Sequence, residues 1–233
     1  MKQFLANTQP KHKTLSNLVF CFILLLPLSA LAEVQPSSLT EQLAEIEKLD
    51  VSSPQQALTL AQELNVQYPE SKEVLVWLTR LYSQFSEPQK SYDSAVAATK
   101  YRLTTTEQVH VQMGFAYYYQ FNIDKANTLK HIDLAVKAAL LSNSASDIVR
   151  ALSFRVSLYS GYNMVAQAMN DVSEAHDYID DVHSPFVVST FYDALCSVYL
   201  MSNQFDGAIE AQLKSIEYMT PTNNLQQLSV LHY

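Results

Sequence analysis

The chain has 233 residues, 48% of them hydrophobic, with 15 basic side chains against 23 acidic ones and a net charge of −8. That balance argues against nucleic acid and anionic membrane surfaces as partners, since both need basic patches. Two cysteines and three glycines argue, in turn, against a disulfide scaffold and against a β-rich fold with glycine in its tight turns.

Residues 1–32 read as a secretory signal peptide. Lys2, Lys11 and Lys13 form a positive start, "LVFCFILLLPL" (18–28) an apolar middle, and "ALA" (30–32) a small-residue cleavage site, with cleavage expected after Ala32. The apolar run falls short of the roughly 20 residues of a spanning helix and contains Pro27. Phe20 ahead of Cys21 does not suit a lipid anchor. The expected location is therefore periplasmic, and the expected mature domain is 33–233. Removing the three lysines leaves 12 basic against 23 acidic side chains, a net charge near −11, with Cys196 as the one remaining cysteine.

From residue 39 onward, apolar residues recur at helical spacing. The pattern predicts helices near 39–49, 54–67, 71–85, 88–101, 105–120, 124–141, 145–160, 164–181, 185–201, 205–219 and 223–233: an all-α chain of about eleven helices. Ser53-Pro54 and Ser184-Pro185 place a capping residue before a proline at the first helical position. Short connections between paired helices direct attention to repeats. Tyr192, Leu195, Cys196 and Tyr199 are followed by Ala208 and Ser215. Leu75, Leu78, Thr79 and Tyr82, followed by Ser91, Ala95 and Ala98, have the same spacing. His110, Met113, Gly114 and Tyr117 lead to Ala126. Ala151, Phe154 and Leu158 lead to Ala168, Val172 and Ala175 after a one-residue insertion. Ala57, Ala61, Leu64 and Pro69 give the second half of a first pair.

These residues match positions 4, 7, 8, 11, 20, 24, 27 and 32 of the tetratricopeptide repeat, and residues 39–233 resemble that family. In the repeat, small side chains at 8, 20 and 27 let two helices approach, and the pairs stack into an α-solenoid. The departures are Arg155 at a small position and Lys130 and Gln212 at position 24. "NNLQQLSVLHY" (223–233) begins a further first helix without its partner; either it caps the array or, the favoured expectation, the chain is truncated mid-repeat.

The resemblance implies a groove lined by positions 2, 5, 9, 12 and 13 of each first helix. In the registers above these are Glu73, Val76, Arg80, Ser83 and Gln84; Gln108, Val111, Phe115, Tyr118 and Tyr119; Val149, Leu152, Val156, Tyr159 and Ser160; and Thr190, Asp193, Ser197, Leu200 and Met201. Aromatic anchors of this kind suit a protein or peptide partner. Two readings of "FAYYYQF" (115–121) stay open, groove wall or core. The Lys, Asn and Arg set of the family's carboxylate-clamp members is missing from these positions, which disfavours an acidic C-terminal tail as ligand. His110 and His131 read as packing residues.

"HDYIDDVH" (176–183) is a weak metal candidate, with His176, Asp180 and His183 on one face of a predicted helix. The alternative is a solvated acidic face made by Asp171, Glu174, Asp177 and Asp181. No phosphate loop, paired CxxC or nucleophile elbow occurs, and no cofactor is expected. The functional expectation is a non-enzymatic, extracytoplasmic binding domain. It resembles the periplasmic input region of bacterial signalling proteins such as diguanylate cyclases, in which a membrane segment would follow in the longer chain. A stand-alone periplasmic scaffold for envelope assembly is the alternative, and a metal-dependent enzyme a remote one.

Overall fold

The computed structural model describes residues 38–219, and every regular element among them is helical. The order is α1 (Leu39–Ser52), α2 (Pro54–Gln67), α3 (Lys72–Gln84), α4 (Pro88–Ala98), α5 (Thr105–Phe121), α6 (Lys125–Ser142), α7 (Ala145–Gly161), α8 (Val165–His176), α9 (Pro185–Met201) and α10 (Phe205–Met219). One 3-10 turn, Ile179–Asp181, follows α8. The helix expected over 223–233 and the expected signal peptide lie outside the described residues.

Local chemistry fixes the starts. Ser38 with Glu41 and Thr104 with Glu107 form reciprocal capping boxes. Ser71, Asp124 and Ser144 each accept a backbone N–H from the first turn they cap. Prolines open α2, α4 and α9, where a missing N–H costs nothing.

The turns inside four successive pairs are the same. The backbone N–H groups of Glu87, Asp124, Met164 and Gln204 donate to the carbonyls of Tyr82, Tyr119, Tyr159 and Tyr199 at 2.9, 2.9, 2.8 and 2.8 Å. The residue before each donor is left-handed: Ser86 (φ 58°), Ile123 (60°), Asn163 (58°) and Asn203 (56°). This is the bond that closes a Schellman-type helix end. Asparagine takes the left-handed conformation readily, whereas Ile123, β-branched and 90% exposed, holds it under strain.

Helices pack as consecutive pairs, α1 with α2 through α9 with α10, and the odd-numbered helices also pack on one another from α3 to α9. The result is a solenoid-like all-α array. Apolar clusters run through it in series: α1–α3, α3–α5, α5–α7, then the largest across α5–α9, and last α9–α10. Small side chains let partners approach. Thr79 meets Ser91, whose Oγ donates to the Thr79 carbonyl at 2.9 Å, and Ser189 meets Ser215 at 2.9 Å. No helix among the described residues is long and apolar enough to cross a membrane.

Candidate functional site

Along the odd-numbered helices lies a cavity of about 360 Å³. Its lining comes from four of them: Arg80, Ser83 and Gln84 of α3; His110, Met113 and Tyr117 of α5; Arg150, Ser153, Phe154 and Ser157 of α7; Phe186 and Thr190 of α9. A smaller cavity of about 170 Å³ adjoins it, shares Arg80 and His110, and adds Glu73, Val76 and Trp77 of α3 with Thr106 and Glu107 of α5. Together they form one groove.

The groove carries all five residues expected on α3 but only one of the five expected on α9. Glu73, Val76, Arg80, Ser83 and Gln84 line it on α3, and Thr190 lines it on α9. Leu200 is half exposed, at 51%, beyond the cavity. Asp193 turns toward α10, where Gln212 Nε2 donates to its carboxylate at 3.4 Å.

The middle two helices are rotated from their expected registers. Val111 and Phe115 are buried in the apolar cluster between α3 and α5. Tyr118 and Tyr119 lie with Tyr92 in an aromatic group, Tyr92 and Tyr118 having ring centroids 4.2 Å apart and Tyr119 stacking on His131 at 5.3 Å. So the run 115–121 is largely interhelix packing; Tyr117 alone of it lines the groove. On α7, Leu152 and Val156 are fully buried, and Tyr159 packs on the same core. At about 100° per residue, the expected and observed stripes lie about 160° apart on α5 and about 120° apart on α7.

The turn tyrosines give the corrected register. Tyr82, Tyr119, Tyr159 and Tyr199 are equivalent, which places Leu75, Gln112, Leu152 and Tyr192 at one repeat position. Ala116 then faces α6, and Thr128, Ile132 and Ala135 become the α6 contacts, all with no exposed surface. Lys130 drops out of the pattern to solvent. On α7 the insertion disappears, because Leu152 is in direct register with Ala168, Val172 and Ala175. Arg155 leaves the small position. It is held by Asp171 through two bonds, 2.6 and 2.8 Å, and by Asp133 at 3.0 Å. Asp171 is thus a buried partner, at 5% exposure, and not part of a solvated acidic face.

The weak metal candidate does not share one helical face. α8 ends at His176, so His176, Asp180 and His183 fall on a helix end, a 3-10 turn and an extended segment. His176 meets Phe191 edge-on at 6.5 Å. Among the described residues, no three His, Cys, Asp or Glu side chains could share an ion. Cys196 is buried beside Ala208 and Ala211, and burial pushes its thiol up.

Charge is concentrated at the groove floor. Arg80 is paired with Asp50 of α1 and lies 4.8 Å over the Trp77 ring. His110 Nε2 is 3.8 Å from Asp147 Oδ1. Burial, reinforced by the charges of Arg80 and Arg150, holds the His110 imidazole well below its ordinary range, so it is neutral. Arg150 lies 5.8 Å over the Phe186 ring, and burial with the neighbouring Arg80 charge brings its guanidinium down to about 9. Sequence reasoning missed Arg150, His110 and Tyr117 as groove residues. The recurring tyrosines would have found them.

A scan against protein-family models, a search of curated proteins and a search of solved structures each found no match.

Proposed function

We propose that the chain is an extracytoplasmic binding module of tetratricopeptide type, which holds an extended segment of a protein or peptide along α3, α5, α7 and α9. The observation that carries this reading is the cavity of about 360 Å³ built by four successive first helices. Its size is that of ligand pockets, and it pairs apolar walls with a few polar groups, as such pockets do. Met113, Tyr117, Phe154 and Phe186 supply the apolar part, and aromatic side chains in a sheltered groove are the usual anchors of a peptide. The family relationship is supported by four equivalent tyrosine turns and by small side chains where paired helices meet. Residues 1–32 support export. With export, a binding groove fits the input region of a larger signalling protein, such as a diguanylate cyclase.

Selection of a random-peptide library on the purified domain tests the groove. Peptides so obtained should bind Tyr117→Glu at least about tenfold more weakly, the loss expected when one anchor contact is removed. They should bind Leu141→Arg, altered on the outer face, as they bind the wild type. Peptides sensitive to Leu141→Arg and indifferent to Tyr117→Glu would place binding elsewhere.

A further inference from the structure

The groove floor contains more polar capacity than the fold uses. Arg150 forms no hydrogen bond and no ion pair among the described residues, and its Nε is buried without a partner. The Arg80 Nε is in the same condition, although its terminal nitrogen holds Asp50. Both atoms of the Gln84 amide are buried and unpartnered. So is the Ser153 hydroxyl, on a residue only 2% exposed. All four residues line the larger cavity. Buried polar groups are nearly always satisfied in a folded protein, and unsatisfied ones gathered around a cavity mark the place of a missing partner.

The sign of that partner follows from the surrounding charges. Asp50 is paired with Arg80, and Asp147 lies 3.8 Å from neutral His110; both carboxylates favour the charged form of Arg150 through space, but neither makes an ion pair with it. Neither aspartate lines the cavity. What the cavity presents is a pair of guanidiniums, an amide and hydroxyls. A guanidinium offers a planar fork of donors that matches a carboxylate with two parallel bonds. The remaining wall is apolar: Met113, Tyr117, Phe154 and Phe186.

Building on the groove reading, we infer that this cavity takes a carboxylate carried on an apolar or aromatic body. Arg150 is the primary anion contact, Arg80 supports it, and Gln84 and Ser153 serve as neutral hydrogen-bond partners. The carboxylate can belong to a free organic acid or to the C terminus of a peptide. The expectation that an acidic C-terminal tail is a poor ligand rested on registers for α5 and α7 that left Arg150 out of the groove. Burial and the neighbouring Arg80 charge lower the Arg150 guanidinium to about 9, so it still carries its charge at neutral pH.

Calorimetric titration at neutral pH tests the assignment with matched pairs of probes: hydrocinnamate against its amide, isocaproate against its amide, and the library-selected peptides with free against amidated C termini. The acid form of at least one pair should bind about tenfold or more tightly than the amide, the size of one charge-assisted contact. Arg150→Met, which keeps the bulk, should bring acid and amide within about twofold, while Arg102→Met, on an exposed residue, should leave the preference intact. Circular dichroism verifies that both variants fold. Preference confined to the small acids assigns the site to a metabolite, and preference confined to the peptides assigns it to a chain end; either supports the inference. Equal binding of acids and amides, or a preference that survives Arg150→Met, overturns it and leaves the groove reading standing. Binding of no probe and no peptide at the groove overturns both.

Discussion

At the scale of single residues, the groove holds ionisable groups in a largely desolvated setting. His110 shows the consequence for stability. Its burial, with Arg80 and Arg150 near, lowers its proton affinity well below the ordinary value of 6.5. His131 is lowered too, by burial first and by Lys130 second. The sign follows from linkage. Above about pH 6.5 the histidines are neutral in both states and contribute nothing. Below it the unfolded chain takes up protons that the folded chain refuses, so stability falls, by up to about 1.4 kcal/mol per pH unit for each such group. Urea unfolding at pH 7.5 and 5.5 should show this loss, and His110→Gln should reduce it by about 1 kcal/mol. Asp193, raised by burial, works in the opposite direction and is common to both proteins, so the difference between them isolates His110.

At the scale of helices, the instructive position is Gly114. A Cβ built there would lie 2.4 Å from Thr79 Cγ2 and 3.0 Å from Ser91 Oγ, so glycine lets α5 seat against the α3–α4 pair. Alanine at an exposed helical site would gain about 1 kcal/mol over glycine, but overpacking costs about 1–3 kcal/mol. We expect Gly114→Ala to destabilise the domain and Thr79→Ser, which removes the clashing methyl and keeps the hydroxyl bonded to the Leu75 carbonyl, to restore much of the loss. A double-mutant cycle by chemical denaturation measures that coupling. The same glycine shows how the register was misread. Sequence reasoning took Gly114 for the small contact with its own partner α6, whereas it is the contact with the preceding pair. Ala116 meets α6. Helix existence and type were legible across the described residues, because apolar spacing and proline starts are local signals. Rotation about the helix axis was legible only where the small residues of both partners agreed, in α3–α4 and α9–α10. In α5 and α7 nearly every face is apolar, because each packs on its own partner and on two further odd-numbered helices, so periodicity alone could not select the groove stripe. Tyr82, Tyr119, Tyr159 and Tyr199 were the overlooked signal, since the backbone of the turn makes them equivalent.

At the scale of the whole molecule, the array is a series of small cores joined through shared helices, so each pair is stabilised chiefly by its neighbours. This architecture leaves one layer of helices to present side chains along a common face, and that face contains the cavity. The opposite side carries Met169, 36% exposed on α8, and Leu141, 63% exposed on α6. The groove could not be read from sequence in detail because its floor depends on contacts between helices of different pairs: Asp50 of α1 reaches Arg80 of α3, and Asp147 of α7 reaches His110 of α5. We propose that ligands engage this inner face. Methyl NMR of the domain labelled at methionine tests it most directly, because Met113 lines the cavity and Met169 does not. Addition of a library-selected peptide should shift the Met113 methyl resonance and leave that of Met169 in place. A shift of Met169 with Met113 unmoved would contradict the account.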